Sequence, residues 1–153
     1  MSNAIPFPNK PLPPLAFIDE GQITLDRLKQ ILDSAFIDSE IDSEGELFIN
    51  DGLDFPVWVA IENDRKSLNI YTCVGIRKSD EEAVAVVNQL NRSLILAQFH
   101  VKDRALWANY WMSIDTGLLA RQFVLTLRRF ATIFEEAMAH KSAQGFFNDP
   151  PRE

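Results

Sequence analysis

Asp54-Phe-Pro-Val-Trp-Val-Ala-Ile-Glu-Asn63 runs through Asp64-Arg-Lys66 into Ser67-Leu-Asn-Ile-Tyr-Thr-Cys-Val-Gly-Ile76. Two runs rich in β-branched residues, joined by the polar turn Asn63–Lys66, predict a β-hairpin with strands over Asp54–Asn63 and Leu68–Ile76. Phe55, Val57, Val59 and Ile61 alternate with Trp58 and Ala60. Leu68, Ile70, Val74 and Ile76 fall on one face of the second run, with Tyr71 and Cys73 on its reverse. A hairpin at the centre of the chain makes the sheet antiparallel, and the flanking segments have to fit around it.

Upstream, Leu25, Leu28, Leu32 and Ala35 recur at helical spacing, so a first helix is predicted from a Thr24 cap to about Phe36. The acidic stretch Asp38–Glu46 reads as a solvated connector, and Glu46–Asn50 as a short strand. Downstream, Ser79-Asp-Glu-Glu82 has the form of a capping box with an acidic first turn. The helix it opens is predicted to reach about Gln98, with Ala83, Val87, Leu90 and Leu94 on one face. A second hairpin, Phe99–Asp103 with Trp107–Ile114, turns at Asp103-Arg-Ala105. The last helix is expected from near Thr116, with Leu119, Phe123, Leu127, Phe130, Phe134 and Met138 forming an apolar seam.

The predicted order is therefore α-β-β-β-α-β-β-α, an α+β fold with a mainly antiparallel five-stranded sheet. The 153 residues suit one domain, placed at 21–141. Residues 1–20 are expected to form a Pro-rich extended arm, because five prolines fall between Ile5 and Pro14. That arm could carry Phe7 and Leu12 onto the domain or onto a second subunit. Residues 142–153 are expected to be a flexible tail.

Composition narrows the function classes. Fifteen basic residues against 22 acidic ones give a net charge of −7, a poor match to phosphate backbones or anionic membranes. Nucleic acid and membrane are therefore not expected as partners. The longest apolar run, Pro56–Ile61, is far short of the roughly 20 residues a spanning helix needs. With a single cysteine, Cys73, and no secretory leader pattern, a cytoplasmic location is expected.

Motifs for chemistry are lacking. No nucleophile elbow, phosphate loop or dinucleotide loop occurs, and six glycines leave little material for one. Cys73 reads as a structural thiol within a strand. His100 alternates with Phe99 and Val101 and so faces solvent, while His140 ends the last helix. Carboxylates at 38, 40 and 42 imitate a calcium loop. Ser43 stands where that loop needs glycine, however, and Ile49 where it needs the closing glutamate. No catalytic residue, metal or cofactor is assigned. Arg121 and Arg128 share one side of the last helix, as a solvated face or a contact for an acidic partner segment.

The positive signal is a surplus of apolar residues. The reverse side of the sheet carries Trp58, Tyr71, Trp107 and Trp111, where a solvated face would be polar. Either the middle helix covers this side, or a second subunit or partner peptide does. Val87, Leu90 and Leu94 would then serve an interface as well as the core.

Val87-Asn-Gln-Leu-Asn-Arg92 in the middle helix, Asp51-Gly52 before a strand, and Trp111-Met-Ser-Ile-Asp115 leading into Gly117-Leu118 resemble the YbjN family of bacterial proteins. The likeness runs from about Leu25 to His140. Members carry the label of sensory-transduction regulators and are similar in fold to type III secretion chaperones, small acidic dimers that hold extended polypeptides. The resemblance implies a non-enzymatic protein-binding module, chaperone-like or regulatory, acting as a homodimer on a protein or secreted polypeptide. Partner side chains would bury in apolar surface, with strand addition at a free sheet edge as a second mode. The alternative is a small-molecule sensor or enzyme with a pocket near the tryptophans.

Overall fold

The computed structural model describes residues 16–147. The chain enters through β1 (Phe17–Ile18) and turns into α1 (Leu25–Ser34). Thr24 caps α1 as predicted, its side chain accepting the Arg27 amide at 3.2 Å. The helix closes in a Schellman arrangement: the Ile37 amide donates to the Leu32 carbonyl and the Phe36 amide to that of Asp33. Phe36 occupies the left-handed position, at φ 59°, where glycine is usual.

The acidic segment is not a bare connector. Glu40–Ile41 forms β2, paired with β3 (Leu47–Ile49). The Asp42 carboxylate organises the turn between them, accepting the amides of Glu44 and Glu46, each at 3.0 Å. The main sheet thus has six strands where five were expected. A two-residue strand is too short to display any alternation, and its pairing is set by the Asp42 turn.

The central hairpin follows as β4 (Val57–Glu62) and β5 (Ser67–Gly75), in register Trp58 to Tyr71 and Ile61 to Leu68. Both halves of the Ser79–Glu82 capping box form at the start of α2 (Asp80–Ser93). That helix stops short of Gln98, with Leu94 extended and Leu96 at φ 78°. The cause is tertiary. Asn91 grips the backbone of Phe99, donating to its carbonyl at 3.0 Å and accepting its amide at 2.8 Å. The chain must double back to bring β6 (Gln98–Lys102) alongside.

Asp103 and Arg104, both at positive φ, make a two-residue turn into β7 (Ala105–Ser113). The last helix begins later than Thr116, because Leu118–Leu119 is β8, paired with β1. α3 then spans Ala120–Ala139. At Gly117, φ 95°, a Cβ would meet the Ile18 carbonyl oxygen at 2.6 Å and the Phe17 ring, so only glycine lets β8 approach β1 this closely.

The main sheet runs β2-β3-β4-β5-β7-β6, every pair antiparallel. One face, with Leu47, Ile49, Val57, Val59, Leu68 and Ile70, is buried in one core with Leu28 and Leu32 of α1 and Phe123, Phe130 and Phe134 of α3. α2 packs along β6 and buries Ala83, Val86 and Leu90. Part of the segment expected to be a flexible tail is ordered. Ala143 is buried, the Arg77 amide donates to the Phe146 carbonyl at 2.7 Å, and Phe147 bridges to Ile76. Phe7, Leu12 and the remainder of the expected arm up to Leu15 lie outside the described residues, as do residues 148–153.

Asn91 also settles how the β6 edge is protected. Its side chain occupies the outward amide and carbonyl of Phe99, which an added strand would otherwise use. Asn91→Ala is expected to lower stability by about 1–2 kcal/mol, the usual cost of leaving such groups unmatched. It should also make the protein self-associate through the freed edge. Urea unfolding and light scattering would check both effects.

Candidate functional site

The sheet face turned away from α1 and α3 carries a row of rings, one from each of five neighbouring strands. Phe48 of β3 lies 4.7 Å from Trp58 of β4, centroid to centroid. Trp58 stacks on Tyr71 of β5 at 5.9 Å, and Tyr71 lies 6.0 Å from Trp107 of β7. Trp107 then stacks on His100 of β6 at 6.3 Å, 14° from parallel. The order follows from register. Phe48 is opposite Trp58, Trp58 opposite Tyr71, and His100 opposite Trp107, while Tyr71 and Trp107 are diagonal neighbours.

Trp111 shares this face and is 38% exposed, with the Arg65 guanidinium 5.0 Å above its ring. That cation–π contact ties the β4–β5 turn to β7. Between Trp111 and Trp107 sits Asn109, whose amide donates to Asn69 at 3.0 Å. Its own carbonyl oxygen is buried and without a partner among the described residues.

Carboxylates lie near both ends of the row, with Lys102 also close to His100 at the β6 end. At the β3 end the Tyr71 hydroxyl donates to the Glu46 carboxylate. Burial, then that carboxylate, holds the phenol well above its ordinary pKa, so it remains a donor. At the β6 end His100 and Val101 line a groove of about 320 Å³ with Asp80, Glu81, Val84 and Val87 of α2. The aromatic row thus continues into an apolar groove with carboxylates on its rim.

The structure sorts the sequence-predicted site residues into separate places. Trp58, Tyr71 and Trp107 form the row, Trp111 flanks it, and Val87 lines the groove that continues it. Leu90 is fully buried in the monomer core and has no surface to offer. Leu94 is half-buried on another side, beside Ile95, Arg129 and Ile133. The middle helix packs on β6 and does not lie across the rings, so among the described residues no helix covers this face. Sequence reading missed Phe48 and His100. Phe48 alternates with the buried Leu47 and Ile49, a signal available in the sequence, whereas the stacking of His100 depends on register.

Burial, and then Lys102, lowers the pKa of His100 below 6.5, so the neutral ring is favoured in the folded state. Its contribution to stability is accordingly present above pH 6.5 and lost as pH falls through the lowered value. The melting temperature of the wild type should fall more steeply on acidification below pH 6.5 than that of His100→Gln, which a thermal scan against pH would show. Cys73 lies on the same face, opposite Trp107, and burial raises its pKa, which keeps the thiol protonated and weakly nucleophilic.

Residues 21–142 match the family described as T3SS (YopN, CesT) and YbjN peptide-binding chaperone 1. The chain belongs to this family. The YbjN likeness read from the sequence is thereby established at the level of the family, which is one of peptide-binding, chaperone-like domains. Among solved structures, YbjN from E. coli has a similar fold, with a TM-score of 0.65 at 18% identity over 82% of this chain and 96% of that one. No curated protein matches the sequence. Among the described residues, no helix is long and apolar enough to cross a membrane.

Proposed function

We propose that this protein binds an extended polypeptide across its aromatic sheet face, as a chaperone-like or regulatory module, and does not catalyse a reaction. The observation that carries this reading is the five-strand row Phe48–Trp58–Tyr71–Trp107–His100, with no helix over it among the described residues while the opposite face is packed into the core. Half-buried aromatic surface of this extent, flanked by the exposed Trp111, suits recognition, because ring faces give large contact area at low entropic cost. Peptide side chains would lie against the rings.

Strand addition is the weaker mode. Asn91 blocks the β6 edge, and the other edge, β2, is two residues long and carries Glu40. The carboxylates near both ends favour a client with an apolar centre and basic flanks, since opposite charges guide and align it. A homodimer is part of the proposal. The Val84–Val87 groove beside β6 would be its contact, and it leaves Trp58 and Tyr71 free. A cytoplasmic setting agrees with a single protonated thiol. The alternative, a small-molecule or enzymatic pocket near the tryptophans, has less support, because the rings form an open track and neither Cys73 nor His100 is poised as a nucleophile or a charged acid.

All three tryptophans lie on this face, so their emission reports directly on its occupancy. Titrating the protein with a peptide of alternating leucine and lysine should shift tryptophan emission to the blue and saturate. Unchanged emission at saturating peptide would sink the proposal.

A further inference from the structure

We propose a second docking surface, at the junction of α1 and α3, for an acidic polypeptide segment carrying an apolar anchor. It is centred on Phe36 and bordered by Leu125 and by Arg121, Arg128 and Arg129.

The Phe36 backbone helps close α1, but its ring buries almost nothing in the described monomer. Its side chain is 95% exposed, it makes no ring contact among the described residues, and its backbone occupies the left-handed position that any residue with a Cβ resists. Glycine would fill the same Schellman position with less strain. A large ring that is both strained at its backbone and wholly solvated points to a role outside the folded chain.

The surroundings identify the chemistry of the occupant. The Arg128 guanidinium donates to the carbonyl of Ala35, the residue before Phe36, and so fastens this end of α1 to α3. On α3, Arg121, Leu125 and Arg128 are spaced four and three apart and share one face, with Leu125 48% exposed. Neither Arg121 nor Arg129 has an ion-pair partner among the described residues. Asp33 is paired with Lys29, Asp54 accepts the Thr132 hydroxyl, and Glu136 lies beside Arg129 without forming an ion pair with it. In a chain of net charge −7, three arginines around two exposed apolar side chains form a local exception. Carboxylates of a partner would pair with the guanidiniums, and an apolar residue between them would cover Phe36 and Leu125. The charge preference is opposite to that of the aromatic row, so the two surfaces would take different segments.

The test uses labelled peptides and fluorescence anisotropy on the full chain. A peptide of alternating glutamate and leucine should bind wild type, and more weakly as salt rises. Phe36→Gly, which should melt no lower than wild type, and Arg121→Glu with Arg129→Glu should each weaken that binding about tenfold or more. Trp58→Thr should leave it unchanged. Overturning results would be a glutamate–serine peptide that binds as tightly, or full binding by a normally folded Phe36→Gly. Loss of binding in Trp58→Thr alone would move the acidic peptide to the aromatic row and likewise overturn the second surface. The row itself stands or falls separately, on the tryptophan response to the lysine–leucine peptide.

Discussion

Trp58→Thr should weaken binding of an extended lysine–leucine peptide about thirtyfold, the effect of losing roughly 2 kcal/mol at a central aromatic anchor. Trp58 is the hub of the row, in contact with Phe48 on one side and Tyr71 on the other. Threonine keeps the β-branched character a strand prefers, so the fold should lose only the ring contacts, about 1–2 kcal/mol. Trp111→Thr is the graded comparison, expected to weaken binding less because Trp111 flanks the row and keeps only Arg65 as a described ring partner. Isothermal titration with both variants would separate them. Equal affinity in wild type and Trp58→Thr would remove the row as the binding surface.

Gly117→Ala should destabilise the protein by about 2–4 kcal/mol. The added carbon would enter at φ 95° and collide with the Ile18 carbonyl, a backbone atom that cannot swing aside. The exposed Phe17 ring could move, but Ile18 is buried and its strand is held to β8 by the Phe17–Leu119 and Ile18–Leu118 pairs. Relief therefore requires β1 to separate from β8, uncovering Ile18 and Leu118. Chemical denaturation would give the loss directly. Gly45→Ala is the control: its φ is also positive, but a Cβ there meets no neighbour within 4 Å, so only the conformational strain should register, about 1 kcal/mol.

What could be read from the sequence divides along the range of the interactions involved. The central hairpin and the Ser79 capping box were legible because alternation and capping act over a few residues. β2 escaped notice since its pairing depends on the Asp42 turn. The early end of α2 reflects Asn91 holding Phe99, and the late start of α3 reflects Gly117 meeting Phe17 and Ile18. Both are contacts between elements, to which propensity is blind. The site shows the same division. Alternation alone put Trp58, Tyr71, Trp107 and Trp111 on the reverse face, but joining Phe48 and His100 to them needed the strand register. Helical spacing grouped Val87, Leu90 and Leu94 together and could not tell that Leu90 faces the core while the other two lie elsewhere.

The Phe147–Ile76 bridge has a practical bearing on where this domain can be cut. Shortening the polypeptide to residue 142 would match the family boundary yet delete Ala143, Phe146 and Phe147, baring Ile76 and leaving the Arg77 amide without its carbonyl. The packed structure extends five residues past that boundary, so recombinant fragments meant for binding assays should retain everything through Phe147.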